Sequence, residues 1–307
     1  MKKRRKIWII ALVIIILVVF VTSLVMITIA NSVVASMANV RVVRNDATLE
    51  DYGLIGDRIS VRSVDGLTIN AYMIPHEDSR GSVLILHGMH GMDATSLFDY
   101  ARFVYDLGFT AVPVDMRAHG KSEGKSLGFG YTEVWDVMAV IEYIKQDSKH
   151  KDLPIIIYGL SMGGSTAINV AAQSQDVDGV IAISPYRSIQ AQFYDYMLRD
   201  GMPDLLVKVF QPFVSMVIWF RYRVNPVADS PESTIQRLRD IPILIAHGDE
   251  DSQTRVDHSK VLYEACSSNK KELWIAEGQD HLIVNDVLHD ESKFYRERIA
   301  VFLNEYF

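Results

Sequence analysis

Six short apolar runs alternate with helix-like segments through most of this 307-residue chain, and this alternation constrains the fold more than any other feature. The runs are continuous rather than interrupted by polar residues, as expected for strands buried on both faces of a sheet. They occupy residues 82–87, 110–115, 154–159, 179–184, 242–247 and 272–277, and the clearest helical stretches between them are 95–107, 131–146 and 164–173. This order predicts an α/β fold with a mostly parallel sheet and helices on both faces.

Two further segments flank or interrupt this pattern. Residues 58–64 and 67–74 lie on either side of an Asp65-Gly66 turn and predict an antiparallel hairpin. Residues 186–233 carry no strand signal and are dense in aromatic residues and methionines. We interpret them as a helical cap above the carboxyl ends of the strands, where open α/β sheets bind ligands. Two alternatives remain open: the segment only covers the core, or residues 205–220 dip into a membrane surface.

The N-terminus predicts a membrane anchor. Residues 7–30 contain no charged side chain, and 24 helical residues are enough to cross a hydrocarbon core of about 30 Å. Basic residues precede the span and should stay in the cytoplasm, so the remainder is expected outside a cell membrane crossed once. The expected organisation is a cytoplasmic segment (1–6), a transmembrane helix (7–30), a linker (31–57) and a domain (58–307) with its cap at 186–233. Small residues around Met37 leave open a cleavage after Ala38.

The net charge and the single cysteine exclude a nucleic-acid partner, an internal disulfide and a thiolate metal site. The first six residues contribute +5 to a formal net charge of −7, so the rest of the chain carries −12. A body this acidic lacks the clustered Lys and Arg that nucleic-acid binding requires. Cys266 is the single cysteine, which excludes an internal disulfide and a thiolate metal site. We therefore expect no nucleic-acid partner.

A Gly-x-Ser-x-Gly motif, formed by Gly159, Ser161 and Gly163, follows one of the apolar runs and opens a helix-like stretch. Glycines at these positions let neighbouring backbone approach closely, and the serine between them should occupy a strained turn. Its hydroxyl would then stand clear of the sheet at the positive end of a helix. A strand before the motif and a helix after it are the context in which such a serine is a nucleophile, so Ser161 is predicted to be one.

With this motif, residues 61–307 resemble the α/β-hydrolase family, and most of all its membrane-anchored Bem46-like and serine aminopeptidase-type members. The resemblance implies an acid at Asp251, in the segment AHGDED, and a histidine at His281, in EGQDHL. Asp249 and Glu250 are competing acids, and the match to the family favours Asp251. Asp280, beside the histidine, is interpreted as a solvated loop residue.

The resemblance also implies an oxyanion hole made of two backbone N–H groups, those of Met89 and Met162. His87 and His90 are interpreted as shaping the first of these loops rather than binding a metal, and His247 as shaping the loop before the acid. A segment resembling the family's Asp-x-Arg-x-His-Gly-x-Ser sequence, Asp115 to Ser122, is expected to be a turn held by an Asp–Arg hydrogen-bond network.

These residues define an expected chemistry. His281 would remove the proton of Ser161, and Asp251 would orient the imidazole and stabilise its charged form. The expected protein is a serine hydrolase that cleaves an ester, thioester or amide bond through an acyl-enzyme, with no cofactor and no metal. Its expected substrate is a small hydrophobic acyl compound or a peptide. An acyltransferase with the same triad, a serine peptidase and a non-catalytic surface adaptor remain alternatives, because the triad alone does not choose among bonds.

Overall fold

An eight-stranded sheet forms the centre of the domain in this computed structural model, which describes residues 2–44 and 47–307. The strands are β1 (Asp57–Arg62), β2 (Thr68–Met73), β3 (Ser82–Leu86), β4 (Thr110–Asp115), β5 (Ile155–Leu160), β6 (Gly179–Ile183), β7 (Ile243–Gly248) and β8 (Lys271–Ala276). Each of the six predicted apolar runs coincides with a strand to within one residue at either end. The predicted hairpin is also confirmed, as β1 and β2.

The strands lie in the order β1-β2-β4-β3-β5-β6-β7-β8. β2 pairs antiparallel with β1 and with β4, and all remaining pairs are parallel. β3 and β5 are therefore neighbours, with Leu84 opposite Ile157. The carboxyl ends of β3, β5, β6, β7 and β8 meet along one edge of the sheet, and the loops leaving those strands share that edge.

The α-helices of the described residues are α1 (Lys2–Ala38), α2 (Phe98–Asp106), α3 (Glu133–Gln146), α4 (Met162–Ala171), α5 (Ile189–Arg199), α6 (Asp204–Tyr222), α7 (Pro231–Thr234), α8 (Asp257–Ala265) and α9 (Lys293–Tyr306). The predicted helix at 95–107 begins with a single 3-10 turn, Ala94–Leu97, before α2. The Asp93 side chain caps this turn by accepting the N–H of Thr95.

Two apolar clusters cover the two faces of the sheet. Successive residues of a strand point to opposite faces, so Leu84 and Leu86 join one cluster while Val83 and Ile85 join the other. The first cluster contains side chains of α3, α4 and the cap helices, and the second contains those of α2 and α9. The expected α/β architecture with helices on both faces is confirmed.

The segment expected to be a cap, residues 186–233, contains α5, α6 and the first three residues of α7. Residues 4–38 and 204–222 are both long and apolar enough to cross a membrane. However, one side of α6 is buried against α1 and α5 and joins the first apolar cluster of the domain, through Val207, Phe210, Val214, Val217, Ile218 and Tyr222. A helix held to the domain along its length is not free to span a bilayer, so α6 is an element of the cap.

The N-terminal helix is longer than the sequence predicts. We expected a span ending at residue 30, but α1 continues to Ala38 and includes the first eight residues of the expected linker. Ala30, Val34 and Ala38 are fully buried, and they belong to the cluster that contains the cap helices. Contact with α6 explains the extension, since burying one face of a helix stabilises it beyond its intrinsic propensity.

Candidate active site

Ser161 occupies a sharp turn between β5 and α4. Its backbone lies at φ +55° and ψ −115°, a conformation that costs energy for any residue with a side chain. A Cβ atom on Gly159 would lie 2.1 Å from the carbonyl oxygen of Gly163, and one on Gly163 would lie 2.4 Å from that of Leu86. Both flanking positions therefore exclude side chains. The turn holds Ser161 at the carboxyl edge of the sheet, directly before the N-terminus of α4.

The structure brings together the three side chains that the sequence analysis selected. His281 Nδ1 lies 2.7 Å from Asp251 Oδ2, and His281 Nε2 lies 2.9 Å from Ser161 Oγ. Ser161 follows β5, Asp251 follows β7 and His281 follows β8, so the parallel strands deliver all three to one edge. The imidazole is mostly buried and bridges the carboxylate and the hydroxyl.

Asp251 is held as a carboxylate. Its Oδ1 accepts the N–H groups of Gln253 at 2.7 Å and Thr254 at 2.8 Å, and its Oδ2 lies within 2.9 Å of a ring nitrogen of both His281 and His247. Burial by itself would raise the pKa of Asp251. The hydrogen bonds from His247 and His281 outweigh that effect and hold the pKa well below its usual range.

The charge of Asp251 determines the tautomer of His281. A carboxylate only accepts hydrogen bonds, so the ring nitrogen facing it, Nδ1, carries the hydrogen. In the neutral ring this leaves the lone pair on Nε2, which faces the hydroxyl of Ser161. The arrangement places a base within hydrogen-bond distance of a hydroxyl that it can deprotonate.

His247 is a site residue whose role the sequence analysis missed. The sequence predicts only a loop-shaping residue here, but the fully buried ring contacts Asp251 directly: Nε2 lies 2.9 Å from Asp251 Oδ2 and 2.9 Å from the carbonyl oxygen of Thr254. Nδ1 lies 2.7 Å from Ser259 Oγ. Facing a carboxylate and a carbonyl, Nε2 carries the hydrogen, and Nδ1 accepts from the serine. The only signal in the sequence was the spacing of four residues between His247 and Asp251.

The loop after β3 lies against Ser161. A Cβ atom on Gly88 would be 3.6 Å from the Cβ of Ser161. His87 Nε2 accepts the N–H of Met116 at 3.1 Å, so its Nδ1 carries the hydrogen and donates to the carbonyl oxygen of Gly88 at 2.8 Å. Burial, together with the nearby His119, lowers the pKa of His87 well below its usual range, so the ring is neutral.

This hydrogen bond orients the predicted oxyanion donor. The carbonyl of Gly88 and the N–H of Met89 belong to one peptide group, in which they point in opposite directions. Because His87 holds the carbonyl, the N–H of Met89 faces the other way. His119 Nε2 lies 2.9 Å from the carbonyl oxygen of Met89 and holds the next peptide. The second predicted donor, Met162, is the first residue of α4, where N–H groups lack an intrahelical acceptor.

The Asp115–Ser122 turn contains the expected Asp–Arg network, with acids from outside the turn. Arg117 pairs with Asp136 at 2.7 Å and with Asp65 at 2.8 Å rather than with Asp115. Asp115 instead accepts the backbone N–H groups of Ala94 at 2.7 Å and Lys121 at 2.8 Å. The two acids that pair with Arg117 therefore come from α3 and from the turn between β1 and β2.

Two contacts tie neighbouring segments to the Asp251 loop. Asp280 is exposed, as expected, but its Oδ1 also accepts the N–H of Ser252 at 2.8 Å and so links the loops carrying the acid and the histidine. From the cap, Gln192 Nε2 donates to the carbonyl oxygen of Gln253 at 2.9 Å. The cap helix α5 is thus attached directly to the loop that holds Asp251.

Comparisons with known proteins agree with this architecture. Residues 77–236, about half of the chain, match the family described as serine aminopeptidase, S33. The matched region includes Ser161 and ends before Asp251. The uncharacterized protein YqkD of Bacillus subtilis is 29% identical over 226 residues, which are 72% of this chain and 71% of that protein. Protein bem46 of Schizosaccharomyces pombe is 25% identical over 232 residues, 74% of this chain and 71% of that protein.

A solved structure shows the same fold. The Pyrococcus furiosus esterase Pf2001 superposes with a TM-score of 0.68 at 22% sequence identity, covering 88% of this chain and 98% of that one. With the family match over half of its length, the chain is an α/β-hydrolase and belongs to the serine aminopeptidase S33 family.

Proposed function

We propose that this hydrolase is a serine hydrolase, with Ser161 as nucleophile, His281 as general base and Asp251 as the acid that orients it. The observation that carries the proposal is the position of the His281 ring, 2.7 Å from the carboxylate and 2.9 Å from the hydroxyl. The strained backbone of Ser161 supports it, because strain of this kind persists only where the surrounding structure enforces it.

In the first half of the proposed reaction, Ser161 Oγ attacks the carbonyl carbon of the substrate while its proton passes to His281 Nε2. A carbon–oxygen bond forms, and the carbonyl π electrons move onto the oxygen. The N–H groups of Met89 and Met162 would stabilise that oxyanion, a contribution of about 3 kcal/mol for each such donor in related chemistry. The buried carboxylate of Asp251 stabilises the imidazolium.

The oxyanion then collapses and the bond to the leaving group breaks. His281 Nε2 returns its proton to the leaving atom, and the acyl group remains on Ser161 as an ester. Water attacks this ester with His281 again as base, which releases the carboxylic acid and restores the serine. Every proton that the histidine accepts is donated again within the same half-reaction.

We propose a small hydrophobic acyl compound as the substrate, supported by the esterase among the structural neighbours. The cap itself is joined to the domain by buried aromatic packing: Phe129, in the loop before α3, makes edge-to-face contacts with Phe193 of α5 at 5.6 Å and with Tyr222 of α6 at 5.9 Å between ring centroids. We propose an ester, thioester or amide as the cleaved bond, and the esterase named among the structural neighbours supports the first. A substrate panel that varies bond type and acyl length, with alcohol and amine acceptors added, distinguishes an esterase from a peptidase or an acyltransferase.

We also propose that residues 7–30 anchor the enzyme in a cell membrane, with the domain on the extracytoplasmic side. Large apolar side chains of α1, from Ile7 to Val25, are exposed along the helix and need lipid around them. Protease added to spheroplasts that express the full chain should degrade the domain. Complete protection would overturn the proposed topology.

Labelling with a fluorophosphonate tests the nucleophile. The full chain in detergent should become covalently labelled, and Ser161→Ala should not. Ser174→Ala, in the turn after α4, is the matched control and should label like the wild type. Persistent labelling of Ser161→Ala would refute the assignment.

A further inference from the structure

We propose that an exposed apolar surface of the cap, in and just before α6, lies in the outer leaflet of the membrane that α1 crosses. We call this surface the lipid-facing patch, and it consists of Met202, Leu205, Leu206, Val209, Trp219 and Phe220. Its occupant would be the boundary between lipid headgroups and acyl chains. The inference rests on the proposed anchor and goes beyond it, because an anchor alone does not require the cap to touch lipid.

The patch is the side of α6 that faces away from the domain. Leu205 is 72% exposed and Phe220 is 58% exposed, and Trp219 packs edge-to-face on Phe220 with ring centroids 4.6 Å apart. The opposite side of the helix is buried against α1, α5 and the first apolar cluster. A helix with apolar side chains on both sides needs a second apolar environment in addition to the protein core.

The contact between α6 and α1 brings the patch to the bilayer. Two grooves flank this contact. Met26, Ile29 and Val33 of α1 line one groove together with Leu206 and Phe210 of α6. In the other, Ile27 and Asn31 of α1 face a second set of α6 side chains, namely Met216, Val217, Phe220 and Arg221.

The depth of this contact follows from the length of α1. About 20 helical residues cross a hydrocarbon core, so within the proposed anchor at residues 7–30 the part from Ile7 to Met26 is enough for the core, and its last turn reaches the headgroup boundary. The α1 residues that line these grooves and pack against the first apolar cluster begin at Met26 and Ile27, where α1 leaves the core. α1 is one uninterrupted helix through Ala38 and packs against α6 beyond the span, so the cap is held at the outer end of the anchor. α6 must therefore lie at the outer surface of the bilayer.

Charges near the patch fit the headgroup region. Lys208 pairs with Asp204 at 2.7 Å on the exposed side of α6, and Arg221 Nη2 donates to the side chain of Asn39 beyond the span. Lysine and arginine at an interface extend their charged ends toward headgroups while their aliphatic parts contact apolar surface. Aromatic side chains such as Trp219 are also favoured at this depth.

Fluorescence quenching in vesicles tests this position. The full chain carrying Cys266→Ala and Val209→Cys is labelled with an environment-sensitive fluorophore and reconstituted into phosphatidylcholine–phosphatidylglycerol vesicles. Some of the lipid carries a nitroxide near the top of the acyl chain. Because an interfacial helix lies roughly 5–10 Å deep, we expect the emission to fall by about twofold.

Val301→Cys is the matched control, since it is 54% exposed against 49% for Val209 but lies on α9, which packs on the other face of the sheet. It should not be quenched. Leu17→Cys, within the span, reports on the anchor independently. Quenching at Leu17 without quenching at Val209 would overturn the lipid-facing patch and leave the anchor intact. Absence of quenching at both positions would overturn both. A second copy of the chain could cover the patch instead of lipid. In that case resonance energy transfer between labelled molecules would rise with protein density and Val209 would not be quenched, which would also overturn the proposal.

Discussion

Replacing Asp251 with asparagine should invert the hydrogen bonding of His281. Asp251 Oδ1 accepts two backbone N–H groups, from Gln253 and Thr254, and in asparagine only the amide oxygen can do so. The amide NH₂ must then occupy the position of Oδ2, where it faces His281 Nδ1 at 2.7 Å. His247 Nε2, which also faces this position at 2.9 Å, keeps its hydrogen bond to the carbonyl oxygen of Thr254. A donor at this position favours the tautomer with its hydrogen on Nε2. That tautomer donates to Ser161 instead of accepting its proton.

The expected loss is large. In Ser-His-Asp enzymes the wrong tautomer lowers kcat by about 10⁴-fold, which at about 1.36 kcal/mol per tenfold corresponds to about 5.4 kcal/mol of transition-state stabilisation. We expect this drop in kcat for hydrolysis of p-nitrophenyl butyrate by the full chain in detergent. Circular dichroism should show an unchanged fold, because the amide keeps both backbone hydrogen bonds.

Asp249→Asn is the control for this prediction. Asp249 is also acidic and lies two residues before Asp251, but it is exposed and its Oδ1 accepts the N–H of Gly278 at 2.7 Å. The kcat of Asp249→Asn should remain close to that of the wild type. A kcat of Asp251→Asn within tenfold of wild type would refute the tautomer argument. If Asp249→Asn lost as much kcat as Asp251→Asn, the assignment of Asp251 as the acid of the triad would be wrong.

The remaining predictions concern packing, positioning and pH. Gly163→Ala should abolish fluorophosphonate labelling and lower the Tm, because the added Cβ would lie 2.4 Å from a β3 carbonyl oxygen. In the control Gly164→Ala the nearest atom is 3.1 Å from the added Cβ, so the Tm should fall much less. Equal Tm values for the two variants would contradict this. His247→Leu removes a donor to the Asp251 carboxylate, and such a hydrogen bond to a charged group contributes about 1.5–3 kcal/mol. We therefore expect kcat at pH 7 to fall by about 10- to 100-fold. An unchanged kcat would exclude a role for His247 in positioning Asp251. Burial raises the pKa of Asp99 from 3.8 to about 6, so its ionisation destabilises the fold as pH rises through that interval, by at most about 3 kcal/mol. Asp99→Asn should flatten the fall in Tm between about pH 4 and pH 7, and parallel curves for variant and wild type would refute this.

The apolar runs and the Gly-x-Ser-x-Gly turn were predictable from the sequence because their causes are local. Short continuous apolar runs of about six residues, alternating with helix-like segments, are typical of strands covered on both faces. The backbone around Ser161 has room only for glycine at positions 159 and 163. Asp251 and His281 required more than local patterns. Their identification depends on resemblance to a family, because the positions of the acid and the histidine are known from the motifs of its members.

Other features were decided only by the tertiary structure. The contact of His247 with Asp251, the orientation of the Met89 N–H by His87, and the pairing of Arg117 with Asp136 depend on which loops and helices meet at the edge of the sheet. The continuation of α1 to Ala38 depends likewise on its packing against α6. Hydropathy and glycine spacing report on the conformation of a segment and its neighbours in sequence. Contacts between side chains far apart in the chain arise when strands and helices pack, and that geometry exists only in the folded molecule.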